Sequence, residues 1–366
     1  MEHAKKEAIS LFSGAGGMDV GFKKAGFNIR WANDFDKDSC STYRLNIGDH
    51  IVNGDINELL PLLVRYQDID CLFGGPPCQG FSVAGRMDPK DVRSKLVMSY
   101  MDAVRIVRPK VFVMENVKAL GVLDKFRNVR EEIYRLASKM GYKTELLILN
   151  SRDFGVPQSR ERMFIIGFKE KSFSGSLFNY LPSLQKKSLS VREVIAPLGP
   201  AGNIMNDKVV KAKISIASSP ILRKSPYAGM LFNGQGRPLD LESASSTLHA
   251  SMGGNRTPII DEEQLYNNAA PWIEEYHRYL MNGGVPYSGR SAPSRLRRLT
   301  VKEAHLLQTF PEEYIFLGKQ SSVLRQIGNA VPCRLAESVA LLAKSIIDGS
   351  LEGISKIGSE NLEFSF

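Results

Sequence analysis

Cysteine is scarce in this chain of 366 residues; Cys40, Cys71, Cys78 and Cys333 are the only four. None stands at metal-ligand spacing from another and no paired framework is visible. That argues against a zinc module or a disulfide-stapled fold and for a reducing compartment. Long apolar runs are missing too, since none approaches the roughly 18–20 residues of a membrane span. The opening Met1-Glu2-His3-Ala4-Lys5-Lys6-Glu7 lacks the apolar core of a signal peptide. There is no internal repeat, and the histidines, His305 among them, form no Cys/His grouping with metal spacing. The expectation is a cytoplasmic protein with no membrane and no metal partner.

The chain is 43% hydrophobic, enough for one large core or two unequal ones, and its 48 Lys+Arg against 39 Asp+Glu leave a net charge of +9. A basic balance suits a polyanionic partner without requiring one. Short apolar strands are predicted at residues 8–12, 28–32, 69–73, 111–114, 145–149 and 163–167. Between them, 96–107 carries apolar residues at helical spacing and stops at Pro109, and 126–140 is amphipathic and closes at Gly141. Strands alternating with helices predict an α/β fold with a doubly wound, largely parallel sheet. From residue 169 to about 290 the sequence turns rich in Ser, Gly, Asn and Pro with no sustained helical period, which predicts a second, smaller and irregular domain. Helical signals return at 300–309 and 336–347.

Two places carry chemistry. The first is the turn Ser13-Gly14-Ala15-Gly16-Gly17 after strand one, where backbone can approach a ligand and a helix N-terminus offers free N–H groups. Asp34 lies 20 residues beyond Gly14, at the end of strand two, where a carboxylate can hold a ribose. Phe35 can cover an adenine face, and Asp55, after strand three, can accept from an adenine amino group. These describe an adenosine pocket. They do not separate NAD from S-adenosylmethionine, although the missing Gly-x-Gly-x-x-Gly spacing argues against the dinucleotide.

The second place is Gly74-Gly75-Pro76-Pro77-Cys78-Gln79, which delivers a cysteine onto a loop at the carboxyl edge of the sheet. Burial suits Cys40 and Cys71 but not Cys78. Glu115 ends another strand in Met114-Glu115-Asn116-Val117, and Arg160 and Arg162 alternate in Pro157-Gln158-Ser159-Arg160-Glu161-Arg162. Extended backbone would point both arginines the same way, toward an oxygen or a phosphate.

With these motifs in order, followed by Arg298-Leu299-Thr300, by Gln308-Thr309-Phe310-Pro311 and by Gln326-Ile327-Gly328-Asn329-Ala330-Val331-Pro332, the chain resembles the DNA (cytosine-5) methyltransferases of the bacterial restriction-modification type. The motifs cover almost the whole chain. The resemblance implies a Rossmann-like S-adenosylmethionine-dependent domain at 1–168, completed by 310–350, a target-recognition domain at 169–309 and a tail at 351–366. It implies Cys78 as the nucleophile on carbon 6 of a flipped-out cytosine, Glu115 as the acid at N3, and Arg162 at O2 with Arg160 in support. A glutamate in that role needs a proton, which implies a pKa raised by burial. It implies a cofactor pocket lined by Phe12, Gly14, Gly16, Asp34, Phe35, Asp55, Gly75, Pro77, Leu96 and Asn329.

The target carbon is inaccessible inside a duplex, so residues 80–95 are expected to close over the flipped base, with Ser82 and Arg93 at phosphates. Base reading is expected from Thr247, Asn255 and Arg256, and phosphate contact from the cluster Arg290, Arg295, Arg297 and Arg298. Duplex DNA is the expected partner of a monomer in a bacterial or archaeal cytosol, associated with the nucleoid. The enzyme would act beside a separate restriction endonuclease or as a solitary methylase. Ser10 and Leu306 depart from the family's common Asp and Arg, which alters hydrogen bonding or an ion pair but removes no reactive group. Two rivals remain: a tRNA cytosine-5 methyltransferase, whose Cys-Phe-Thr tripeptide is missing here, and a non-catalytic DNA-binding regulator, against which intact Cys78, Glu115 and Arg162 argue.

Overall fold

The computed structural model describes residues 5–77, 95–169, 175–287 and 290–349. Cys78, Ser82, Arg93, nearly all of the closing loop and the 351–366 tail lie outside the described residues. The chain divides into two compact units. The first comprises Met1–Gly155, Glu161–Lys187 and Val331–Phe366; the second comprises Val156–Arg160 and Ser188–Ala330.

The first unit is built on a seven-stranded sheet: β1 (Lys6–Leu11), β2 (Phe27–Asp34), β3 (Ile51–Asn53), β4 (Cys71–Gly74), β5 (Val111–Val117), β6 (Tyr142–Asn150) and β7 (Glu161–Lys169). Their spatial order is β3-β2-β1-β4-β5-β7-β6. Neighbours from β3 to β5 are parallel, while β7 runs antiparallel to both β5 and β6. The sheet is therefore largely parallel, as alternating strands and helices imply, with one reversed strand that no pattern in the sequence announces.

Helices α1 (Gly17–Lys24), α2 (Lys37–Asn46), α3 (Lys95–Val107) and α4 (Arg127–Lys139) follow β1, β2, β4 and β5. The face of α3 carrying Val97, Tyr100, Met101, Val104 and Val107 is buried, in a core that includes Ile9, Leu11, Leu72, Phe112 and Met114 of the sheet. The long helix Cys333–Asp348 packs on α1, and a Cβ on Gly21 would lie 2.5 Å from Glu337 N and 2.6 Å from Cys333 O. That close approach explains a glycine inside a helix, where it otherwise costs about 1 kcal/mol.

The second unit holds short paired strands, Ile216–Ile221 with Met230–Phe232 and Ile259–Asp261 with Leu296–Arg298. Within its 188–290 stretch lies a regular amphipathic helix, Trp272–Met281, burying Ile273, Tyr276, His277 and Leu280. This helix corrects the expectation of no sustained helical period between 169 and 290. Its apolar positions follow the i, i+3, i+4, i+7 rule over three turns, a stretch too short to stand out from the Gly- and Pro-rich sequence around it.

Candidate active site

Parallel strands bring their carboxyl ends to one edge. In the register, Leu11 pairs with Asn33 and with Gly74, and Gly74 pairs with Met114. Phe12, Asp34, Gly75 and Glu115 each follow one residue later, so four elements deliver their functional residues at one level of the sheet. The reversed strand completes this edge from the opposite direction. Arg162, near the start of β7, pairs with Val117 near the end of β5.

The turn after β1 is tightly held. Phe12 adopts φ 53, Gly14 φ 55 and Gly16 φ 83. A bulky residue in the left-handed region costs of the order of 1 kcal/mol or more and persists only where its surroundings enforce it. Ser13 N donates to Asn33 O at 2.9 Å, and Gly14 N donates to Asp34 Oδ2 at 2.7 Å. The other Asp34 oxygen accepts from Asp36 N at 2.8 Å. Burial pushes the Asp34 carboxyl above its ordinary pKa, against the pull of these backbone N–H groups. Phe35 beside it is 78% exposed, a flat ring left uncovered at a strand end. Asp55 caps the short helix Ile56–Leu59, accepting from Asn57 N at 2.9 Å. Leu96 is partly buried at the start of α3. Asn329, at the end of the helix Gln320–Asn329, belongs to the second unit and is exposed.

Glu115 faces Arg162 across the neighbouring strand, with Nε 3.0 Å from Oε1. Arg162 also donates from Nη1 to Glu161 O at 2.8 Å. The resting Glu115 thus looks onto a cation, whereas the sequence pointed only to a buried pocket. Gly75 makes room for this carboxylate, because a Cβ there would stand 2.7 Å from Glu115 Oε2. At Gly74 a Cβ would collide with Leu11 O at 2.2 Å. Asn116, buried beside Glu115, donates from Nδ2 to Pro76 O at 3.0 Å and so ties the Gly-Gly-Pro-Pro segment to β5. Asn116 is a site residue that sequence reasoning missed, although it sits inside the Glu115-Asn116-Val117 motif.

The two alternate arginines part company. Arg160 is buried, and its guanidinium donates to Leu248 O at 2.8 Å and Gly328 O at 2.9 Å, both in the second unit. Around it lies a polar hub that the sequence also hid. Gln158 Nε2 donates to Gln308 Oε1 at 2.8 Å, Leu248 N donates to Gln158 Oε1 at 2.9 Å, and Thr247 Oγ1 donates to Ser159 O at 2.9 Å. Gly328 approaches so closely that a Cβ would meet His249 O at 2.4 Å.

Of the four arginines expected at phosphates, three are committed inside the second unit. Arg297 pairs with Glu262 at 2.7 Å and with the fully buried Glu303 at 2.7 Å. Arg295 pairs with Asp261 at 2.6 Å. Arg298 is buried, donating to Thr257 O at 2.8 Å. The phosphate expectation for Arg295, Arg297 and Arg298 is corrected accordingly, since a paired or buried guanidinium is not presented to a ligand. Arg290 is exposed over the Tyr287 ring. Asn255 and Arg256 are exposed on the one-turn segment Gly254–Arg256.

Among the described residues, no cluster of His, Cys, Asp and Glu is arranged to hold a metal, and no helix is long and apolar enough to cross a membrane. The family model for C-5 cytosine-specific DNA methylases matches residues 7–345. The chain is 33% identical over 352 residues to the Type II methyltransferase M.NgoFVII of Neisseria gonorrhoeae, covering 94% of this chain and 87% of that one. It is 32% identical to the Type II methyltransferase M.MthTI of Methanothermobacter thermautotrophicus, covering 94% of this chain and 99% of the relative. The solved structure of the Schizosaccharomyces pombe Dnmt2 methyltransferase shares the fold at 18% identity, with a TM-score of 0.66 over 93% of this chain and 99% of that one.

Proposed function

The chain belongs to the C-5 cytosine-specific DNA methylase family and methylates carbon 5 of cytosine in DNA, and from that premise we propose how its residues divide the work. Cytosine is a poor carbon nucleophile. The Cys78 thiolate adds to carbon 6, Glu115 supplies a proton to N3, and carbon 5 gains the electron density needed to take a methyl group. A base, for which a water serves, then takes the carbon 5 proton; the carbon 6–sulfur bond breaks, N3 returns its proton to Glu115, and the thiolate and double bond are restored. The observation carrying this reading is the Glu115–Arg162 pair at the strand edge, cleared by Gly75 and joined through Asn116 to the segment that runs into Cys78. Arg162 holds the carboxylate while its remaining donors are oriented toward an exocyclic oxygen. Glu115 must carry a proton when it meets N3 of the base, and Arg162 holds its carboxyl in place there.

S-adenosylmethionine fits the neighbouring turn. A diol needs an acceptor such as Asp34, whose oxygens each accept one backbone N–H and keep a second lone pair. An adenine needs a flat apolar face such as the exposed Phe35. Phe12, Gly14, Gly16, Asp55, Gly75, Pro77 and Leu96 complete the set from the first unit. When bound, this group supplies an electrophilic sulfonium methyl. The recognition part, expected at 169–309, overlaps the second unit over 188–309 and reads bases through exposed Asn255 and Arg256. Arg160 supports these elements from inside the unit, while the part-exposed Thr247, bonded to Ser159 O, stays with Asn255 and Arg256 among the base-reading residues. The enzyme works in the cytosol as a monomer on duplex DNA, within a restriction-modification pair or alone.

The test is mechanism-based trapping. A duplex carrying 5-fluorocytosine at the target, incubated with S-adenosylmethionine, should yield a covalent protein–DNA adduct. Cys78→Ala should abolish it while leaving DNA binding intact. An adduct that persists in Cys78→Ala refutes the assignment of the nucleophile.

A further inference from the structure

Beyond the Asp34 turn, β3 leads into a chain of hydrogen bonds that the methyl-transfer chemistry does not use. β3 lies beside β2 with Asn53 opposite Asp34, and Asn53 Nδ2 donates to Asp34 O at 3.1 Å and to Phe35 O at 2.9 Å. Asp55 follows, and its Oδ1 takes both of its bonds from Asn57. The Asn57 backbone N–H donates at 2.9 Å and the side-chain Nδ2 at 2.9 Å. The amide oxygen of Asn57 in turn accepts the Ser99 hydroxyl at 2.7 Å, across 42 residues of sequence. Ser99 is buried on α3, about one turn beyond Leu96, whereas Asn57 is exposed.

The direction of this chain follows from what each group can donate. A hydroxyl carries one hydrogen, and the 2.7 Å contact to Asn57 is shorter than the 3.2 Å back-bond from Ser99 Oγ to Lys95 O. With Ser99 donating, the Asn57 amide has to turn its oxygen to α3 and its NH2 to Asp55. The reversed amide would set oxygen against carboxylate and lose both bonds. Asp55 Oδ1 is thereby filled by two donors, and Oδ2 has no hydrogen-bond partner among the described residues. An ionised carboxylate only accepts, so that oxygen suits an exocyclic amino group and opposes a carbonyl in its place. We propose that Asn57, braced by Ser99 of α3, is the positioning residue that presents Asp55 to the adenine amino group and makes the donor site selective for an amino-bearing purine. This rests on the reading of that pocket as the S-adenosylmethionine site.

A brace is needed because packing fixes only the backbone here. Asp55 caps the short helix Ile56–Leu59, and Ile56 is buried in the core against which Leu96 packs. Those contacts leave the side-chain torsions of Asp55 to its hydrogen bonds, and the pair from Asn57 settles them. The bond to Ser99 then joins the end of β3 to α3, so that Asp55 and Leu96, both assigned to the donor, are set by one connected framework. Losing such a bond is expected to change affinity about two- to tenfold.

The experiment measures binding of S-adenosylhomocysteine and of S-inosylhomocysteine, in which a carbonyl replaces the amino group, to the full chain by calorimetry. The unaltered protein, Asn57→Ala, Ser99→Ala and the double variant are compared. The unaltered protein should favour the adenosyl ligand about tenfold or more. Asn57→Ala should cut that preference about fivefold, by losing adenosyl affinity with little change for the inosyl ligand. Ser99→Ala should cut it about two- to threefold, and the double variant should be no worse than Asn57→Ala, because both act through one carboxylate. A preference in Asn57→Ala equal to that of the unaltered protein overturns the proposal. So does an equal loss for both ligands, the mark of a merely structural role, and so do losses that add in the double variant. Asn57 is exposed, so its variant keeps the test decisive if Ser99→Ala fails to fold. Failure of the unaltered protein to bind either ligand, or its equal affinity for both, would instead refute the donor-site reading, and this inference with it.

Discussion

Two ion pairs, one in each unit, look alike on paper. Glu115 and Arg162 in the first unit leave 12% and 15% of their side chains exposed; Glu303 and Arg297 in the second leave 0% and 12%. Their surroundings differ. Arg162 meets Glu115 with Nε 3.0 Å from Oε1, on the ends of two strands, beside a position that only glycine leaves open. Arg297 grips both oxygens of Glu303, at 2.7 and 2.9 Å, and reaches Glu262 as well. Glu303 further accepts from Asn206 Nδ2 at 3.0 Å and from Thr300 N at 2.8 Å, within the capping box of the helix Val301–Leu307. One pair stands where the proposed chemistry would need it, and the other is a strut. Burial and charge alone do not distinguish them; their places do, one at the carboxyl edge of the sheet and the other inside its unit.

The sharpest way to break that comparison is to neutralise the acid of each pair. Glu115→Gln should lower the methylation rate at saturating substrates about 10²–10⁴-fold in single-turnover assays, with little change in urea midpoint. A fully active Glu115→Gln protein would remove Glu115 from the chemistry. Arg297→Met should do the opposite. It strands the buried Glu303 charge and should destabilise the fold by about 3–5 kcal/mol in urea titrations. The salt dependence of DNA binding should not change, and a reduced salt slope would return Arg297 to the phosphate-contacting surface.

The units should also differ in how they respond to pH. In the first, Asp19 is raised from 3.8 to about 7 by burial, so the native state holds its proton more tightly than the unfolded chain. Its contribution is fully present below pH 4 and is lost as pH rises to about 7. In the second, burial lowers His305 from 6.5 to about 4, with Lys302 and Lys208 adding to the effect and the bond to Pro311 O opposing it. Its contribution is present above pH 6.5 and is lost as pH falls to about 4. Each is of the order of a few kcal/mol. Asp19→Asn should therefore raise the melting temperature at pH 8 but not at pH 4, and His305→Gln should flatten the acid limb. Hydrogen exchange resolved along the chain would assign each limb to its unit; the reverse assignment would refute it.

The smallest expected effect belongs to Arg256. Its exposed guanidinium has no acidic partner among the described residues, and Arg256→Ala should cost about 1–3 kcal/mol of discrimination between target and altered sites in competition binding. A uniform loss over all sequences would assign it to the phosphates.

Much of the reaction edge was legible beforehand because parallel strands end together. Once Leu11, Asn33, Gly74 and Met114 are recognised as strand termini, Asp34, Gly75 and Glu115 fall side by side without any tertiary information. The reversal of β7 was not legible, because an apolar strand buried on both faces reads the same in either direction. Nor was the fate of the arginines. Arg295, Arg297 and Arg298 look like a basic surface stripe, but their partners Asp261, Glu262 and Thr257 are distant in sequence and meet them only through the pairing of Ile259–Asp261 with Leu296–Arg298. Arg160 misled through the alternation rule, which holds only while the backbone is regular. β7 begins at Glu161, one residue too late to govern it.

The pentapeptide Val156–Arg160 bears on any attempt to graft a new specificity onto this scaffold. A donor cassette covering 188–330 alone would place foreign backbone against the host's Gln158, Ser159 and Arg160, whose partners are Ser245, Thr247, Leu248, Gln308 and Gly328. A chimera that carries its own five residues across, as a second insert within the hairpin between β6 and β7, keeps that set of bonds from a single parent. The second unit is therefore transferred in two pieces, and the shorter one lies some thirty residues upstream of the longer.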